Sequence, residues 1–370
     1  GVMLEKSKLA EELIDVIGHL FGKVQGGMGV AIILVGVLLG AATGIVGATI
    51  VTLGLLTLAT LLRRGYPKTI STGMICASGT PGQIIPPSLV LILLADILQE
   101  SVGTMFAAAM VPGLTLAAVY VTSILIYAFW KPGAMPPIPL EERRALSRGA
   151  LLRKVVLVVG PPVGLVVAVL GSIIGGIEAP TEAASMGALG ALVFVALSGR
   201  LTGQMLFQVA RGTLLISAMV FFILICAQVF GLAFRGLGGE HLVQRMFDLV
   251  PGGTNGALLF LMLLIFVLGF FLEWIEITYI ALPMFLPIFM QAEVDPVWLG
   301  ILICLNLQTS FLTPPFGWSL FFLKGVAPPN VITMDIYKGA VPFIGLQFVG
   351  LTLVFFLPAL ATWLPGLLGW

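Results

Sequence analysis

Charge is what this sequence has least of. Asp, Glu, Lys and Arg supply 9% of its 370 residues, against about 25% in soluble domains, so most of the chain has no water-facing surface. A net charge of +1 leaves no field to attract nucleic acid or an acidic partner. The three cysteines, Cys76, Cys226 and Cys304, lie in apolar segments with no spaced pair. That argues against a disulfide or metal centre and for small core residues. The two histidines, His19 and His241, fall in charged amphipathic stretches, where solvation rather than catalysis is expected. No Gly-x-x-x-x-Gly-Lys-Ser/Thr, His-Glu-x-x-His or Gly-x-Ser-x-Gly pattern occurs. ATP hydrolysis and intramembrane proteolysis therefore lack residues to perform them, and uphill transport has an ion gradient to draw on.

What is abundant is apolar. Hydrophobic residues make up 59% of the chain and mean hydropathy is +1.13, the composition of an all-α polytopic membrane protein. Residues 2–24 set Glu5, Lys6, Lys8, Glu11, Glu12 and Asp15 among Leu4, Leu9, Leu13, Val16, Ile17 and Leu20, the spacing of an amphipathic helix lying along the interface. The apolar run from Gly26 to Leu62 is 37 residues long, where a span needs about 20. With Thr43, Gly44 and Gly47 at its middle, it predicts two half-length helices turning at membrane depth, a re-entrant hairpin; one long tilted helix is the alternative. Spans follow at 105–130, 153–175, 182–199 and 213–231.

The interruptions carry the most information. Cys76-Ala-Ser-Gly-Thr-Pro-Gly-Gln-Ile-Ile-Pro-Pro-Ser88 sits inside the apolar segment 69–98. Its prolines remove backbone donors and its glycines loosen the chain, so the segment reads as a discontinuous span. A second version runs from Cys304 to Gly317 within the span 297–323, with Cys76 and Cys304, Pro86 and Pro314, and Pro87 and Pro315 each 228 residues apart. Pro112 and Pro342, 230 apart, extend the match. The second version is preceded by an amphipathic stretch from Arg235 to Asp248 and an apolar run to Met290 interrupted at Leu272–Thr278. A last span near 340–363 closes the chain. Counting the first broken span itself and the four spans after it, with hairpins contributing none, five crossings lead to the second copy, an odd number that inverts it. This divides the chain into an interfacial arm (1–25), a first repeat (26–130), a linker with scaffold spans (131–231), a second arm (232–255) and a second inverted repeat (256–370). The second copy opens with the span at 213–231, so the repeat predicts at least one further span upstream of residue 2. If the first hairpin opens to the cytoplasm, 16 of the 18 Lys and Arg fall inside, in keeping with the positive-inside rule.

An interrupted helix in hydrocarbon leaves amides and carbonyls without partners, and such breaks survive mainly where they line a site. Helix C-terminal ends offer carbonyls to a cation and N-terminal ends offer amides to an anion. Thr43, Ser78, Thr80, Thr309, Ser310 and Thr313 add hydroxyl oxygens suited to a hard cation. Glu273 and Glu276 lie inside the second apolar run. They read either as a cation or proton site or as carboxylates at a helix N-terminus that position the tip. A passive channel or proton-translocating subunit would need ionisable residues across several spans, and only Glu182, Glu273 and Glu276 lie near apolar segments.

At these residues the chain resembles the large membrane subunit of the TRAP (tripartite ATP-independent periplasmic) transporters. The resemblance rests on Gly79–Ser88, Ala179-Pro-Thr-Glu-Ala-Ala184, Gly187-Ala-Leu-Gly190 and Leu312-Thr-Pro-Pro-Phe-Gly317. Gly269–Thr278 and Asn306–Trp318 are similar to the branch labelled mannitol/chloroaromatic or 2-oxo acid. It implies an inverted-repeat, elevator-type ion transporter fold with two re-entrant hairpins, two discontinuous helices and interfacial arm helices. It also implies a bacterial inner membrane location in the lipid bilayer, Na⁺ as coupling ion, a small four-helix membrane subunit, and a periplasmic substrate-binding protein delivering a small organic acid. Coupling to H⁺ stays open as the alternative. Carried onto this sequence, one Na⁺ site lies between Thr43, Gly44 and Gly47 and the break at Ser78, Gly79, Thr80 and Gly82. The other lies between Glu273, Trp274, Glu276 and Thr278 and the break at Gln308, Thr309, Ser310 and Thr313. Substrate sits between them, with Thr43, Ser78, Thr80, Gln83, Gln308, Thr309 and Ser310 as candidate ligands. No arginine lies in either break, so a carboxylate would be held by amides, hydroxyls and the bound cations.

Overall fold

A computed structural model describes residues 2–3, 7, 9–144 and 147–370, and the regular elements among them are all helical. Leu4, Glu5, Lys6 and Lys8 of the first amphipathic stretch lie outside the described residues. The rest of that stretch forms α1 (Leu9–Phe21), which buries Leu13, Val16 and Ile17 and turns Glu11, Asp15 and Leu20 outward. Next come α2 (Gly27–Thr43) and α3 (Val46–Arg63), separated by Gly44 in the left-handed region at φ 67° and by extended Ile45. The break falls at the expected tip. Its limbs, however, are 17 and 18 residues long rather than half-length, about 26 Å each. α3 stays continuous because a π turn at Gly54–Leu58 absorbs the irregularity without opening the helix.

The first broken span is α4 (Lys68–Gly79), a tight 3₁₀ turn (Thr80–Gln83), irregular chain to Ser88, and α5 (Leu89–Leu98). Helix α6 (Val102–Trp130) follows, then α7 (Gly149–Ile174), α8 (Pro180–Leu197) and α9 (Gly203–Gly236). α9 exceeds the expected 213–231 at both ends. The Thr202 hydroxyl accepts from the Met205 amide at 3.1 Å and starts the helix early, and Gln204, Gln208 and Arg211 stay helical while facing out. The second arm, α10 (Gly239–Asp248), meets α11 (Gly253–Leu268) at 117°. After a turn come α12 (Trp274–Gln291), α13 (Pro296–Leu312), the second break, and α14 (Trp318–Val326). The chain closes with α15 (Thr333–Phe356) and α16 (Ala359–Leu367). The last span is thus 333–356, not 340–363. Asp335 accepts the Ile332 amide at 3.1 Å at its start, and Pro358, which lacks an N–H, follows its end. Pro112 and Pro342 lie inside α6 and α15. Among the described residues seven helices are long and apolar enough to cross a membrane, or eight if the bent pair is one span.

The two halves exchange partners in the interior. α4 packs against α14 and α15, while α13 packs against α5 and α6. α2 packs on α4, and α11 packs on α13. α7, α8 and α9 turn most of their apolar side chains outward. Cys226, on α9, is accordingly exposed rather than a core residue, because a helix facing a bilayer keeps apolar groups on its outside.

Candidate functional site

At the first break, glycines set the geometry. A Cβ on Gly36 would stand 2.5 Å from the Ser78 Cβ, one on Gly40 2.8 Å from the Gly82 Cα, and one on Gly79 2.6 Å from Ile50 Cγ1. α2 therefore meets Ser78 and Gly82 through Gly36 and Gly40, below the tip. The tip residues themselves have other neighbours. Thr43 Oγ1 accepts the Ile45 amide at 3.3 Å and lies 3.3 Å from Thr49 Oγ1. Gly44 rests on Leu89 and Gly47 on the Phe322 ring of α14. Ser78 donates its hydroxyl to the Ile75 carbonyl at 2.8 Å and Thr80 to the Ala77 carbonyl at 3.1 Å. Both are fully buried and keep lone pairs to offer.

The second break repeats this chemistry. Thr309 donates to Leu305 O at 2.9 Å, Ser310 to Leu307 O at 2.7 Å and Thr313 to Thr309 O at 2.7 Å. Gly269, at the end of α11, admits Ser310, whose Cβ would stand 2.7 Å from a Cβ placed there. Asn306, 228 residues after Ser78, donates to the Met262 carbonyl of α11 at 2.6 Å. At the second tip Glu276 Oε2 accepts the Glu273 amide at 2.5 Å, so this carboxylate holds the start of α12, and Thr278 donates to Trp274 O at 2.7 Å. Thr278 lies in the stretch of α12 that packs against α5 and α9. No group of three or more His, Cys, Asp or Glu gathers among the described residues. An ion at either break would meet hydroxyl, carboxamide and backbone oxygens, a set that suits a hard cation.

The breaks meet where the 3₁₀ turn packs on α13. The Gln83 carbonyl accepts from the Ser88 hydroxyl and from the Cys304 thiol, the latter at 3.4 Å, and Gln308 Nε2 lies 4.0 Å from the same sulfur. Both amide atoms of Gln83 and Oε1 of Gln308 are buried without a hydrogen-bond partner. Such groups cost about 1–3 kcal/mol each, which suits them to a polar ligand. Two further polar residues reach this region from outside the motifs. Gln347 of α15 donates to Thr80 Oγ1 at 3.0 Å, and Tyr120 of α6 lies beside both. Their one sequence signal is being isolated polar groups in long apolar runs. Elsewhere, a cavity of about 850 Å³ under α1 is lined by Glu11, Glu12, Asp15, Arg64 and Arg200. A second, of about 500 Å³, lies between α5, α9 and α12. Neither includes a break residue.

A membrane chain with two motif-bearing broken helices that exchange partners narrows the choice of family, and the comparison decides it. Residues 1–360 match the family described as tripartite ATP-independent periplasmic transporter, DctM component. The chain belongs to this family. The DctM family consists of transporter permeases rather than enzymes. The chain is 32% identical to the C4-dicarboxylate TRAP transporter large permease protein DctM of Pseudomonas aeruginosa, over 100% of this chain and 84% of that one. It is 28% identical to the ectoine TRAP transporter large permease protein TeaC of Halomonas elongata, over 99% of this chain and 83% of that one. In fold the DctM-family chain is similar to the crystal structure of the Alcanivorax borkumensis YdaH transporter, with a TM-score of 0.61 at 13% identity, covering 97% of this chain and 85% of that one. At that identity the likeness speaks for fold alone.

Proposed function

We propose that this chain is the membrane permease subunit of a Na⁺-coupled, binding-protein-dependent secondary transporter that imports a small organic acid by an elevator movement. The observation that carries this is the exchanged packing of two broken helices whose breaks present buried hydroxyls and unpartnered carboxamides. In this reading the halves are inverted repeats. The moving body is formed by the two hairpins and the two discontinuous helices, and the arms α1 and α10 with α7–α9 form the scaffold. Na⁺ binds at Ser78 and Thr80 on one side and at Thr309, Ser310 and Thr313 on the other, with substrate between them against Gln83 and Gln308. A small four-helix membrane subunit and a periplasmic binding protein complete the system in the bacterial inner membrane. The relatives are named for cargoes as unlike as C4-dicarboxylates and ectoine, so the family supplies the class and not the compound.

The test is uptake into proteoliposomes holding the full-length chain, its small subunit and the binding protein, using the acid that co-purifies with the binding protein. Uptake driven by an inward Na⁺ gradient supports the reading. Uptake indifferent to Na⁺ but driven by a proton gradient, and lost in Glu273→Gln or Glu276→Gln, would replace Na⁺ with H⁺.

A further inference from the structure

α4 and α15 run parallel and touch backbone to backbone, since a Cβ on Gly73 would stand 2.6 Å from the Gly339 carbonyl carbon. At one end of this seam Lys68 donates to Asn330 O at 2.6 Å and Thr72 to Asp335 O at 3.2 Å. At the other, Gln347 Nε2 donates to Thr80 Oγ1 at 3.0 Å. Thr80 lies seven residues beyond Gly73 and Gln347 eight beyond Gly339, about two helical turns in each case. The register set by the glycine pair therefore delivers the carboxamide to the first break.

That contact defines what Thr80 can do. Its proton goes to the Ala77 carbonyl at 3.1 Å and one lone pair takes the Gln347 amide, leaving a single lone pair in one direction. A hydroxyl without such contacts rotates freely. Packing alone would not call for a glutamine here. Gln347 is 2% exposed and its Oε1 has no hydrogen-bond partner, a cost that a Leu or Met filling the same seam would avoid. Tyr120, fully buried and edge-on to Phe343 at 5.5 Å, lies beside Thr80 and Gln347.

We propose that Gln347 is a positioning residue for the cation site at the first break: it acts through Thr80, directing the remaining lone pair of that hydroxyl at the ion. Helix α15, which comes after the second broken span, thereby sets ion affinity at the first break. The inference rests on the Na⁺ reading above.

The experiment is a NaCl titration of the melting temperature of the purified full-length protein in detergent, with choline chloride replacing Na⁺ at constant ionic strength. In Gln347→Met, which keeps chain length and removes the donor, the half-saturating Na⁺ concentration is expected to rise about ten-fold or more, with the melting temperature in choline near wild type. Combining it with Thr80→Val is expected to add nothing to Thr80→Val alone, as coupled residues do in a double-mutant cycle. Gln347→Leu serves if the Met variant does not fold. A variant that melts lower in choline but titrates with the wild-type midpoint makes Gln347 a packing residue and overturns the proposal while leaving Na⁺ coupling intact. Additive effects of the two substitutions also overturn it. A wild-type protein indifferent to Na⁺ overturns the coupling-ion reading, and the proposal falls with it.

Discussion

The Cys304 thiol donates to the Gln83 carbonyl at 3.4 Å, and Cys76, 228 residues earlier, donates to the Ser319 carbonyl at 3.6 Å. Each half thus supplies a donor to the backbone near the other half's break. Pro87, four residues after Gln83, has no N–H to give that carbonyl, and a small buried thiol reaches it without bringing a charge.

Cys304→Ala is expected to lower stability by about 1 kcal/mol from the lost hydrogen bond, and Cys304→Ser, which keeps a donor, by less. Thermal unfolding of the two variants in detergent checks this. Equal losses in both would assign the effect to packing alone.

The close approach of Gly40 and Gly82 makes a sharper forecast. Gly82→Ala would drive a methyl into the α2 backbone, at a cost of about 1–3 kcal/mol or more. Gly345→Ala on α15, with nothing within 4 Å of its added carbon, is expected to be near neutral. Melting temperatures and the monodisperse yield of the two variants should separate widely, and similar values would show that the contact between α2 and the 3₁₀ turn yields easily.

Gln83→Leu should split stability from function. Removing a buried amide with no partners is expected to hold or raise the melting temperature. Uptake is expected to fall about ten-fold, the equivalent of roughly 1.4 kcal/mol. Undiminished uptake would remove Gln83 from the substrate site.

Glu100, in the turn between α5 and α6, has its carboxyl raised above the ordinary glutamate value, first by burial and second by the charge of Asp295. A raised native value means the folded state binds this proton more tightly than the unfolded chain. Its contribution is therefore gained as pH falls through that value and is absent at neutral pH. Glu100→Gln is expected to melt higher than wild type at about pH 7, with the gap closing toward about pH 4, where free glutamate takes up its proton. A gap that stays constant with pH would contradict the assignment.

Much of this protein follows from short-range chemistry and was legible in the sequence. Hydropathy dictates a helical membrane chain. The helix break at Gly44–Ile45 and the two proline-bearing breaks lie where the glycines and prolines place them, because these residues act on their own few residues of backbone. Helix limits were less legible where a single cap decides them, as Thr202 does for α9 and Asp335 for α15. Even Glu276 as the acceptor at the start of α12 was one of two readings its position allowed. What only the tertiary structure decided is which distant groups meet. The exchange of α4 and α13 between halves, the outward face of Cys226, and the bond from Gln347 to Thr80 across 267 residues depend on helices packing side by side. Such packing is set by glycine contacts and apolar surface summed over whole helices, and no local pattern around Gln347 encodes the partner it reaches.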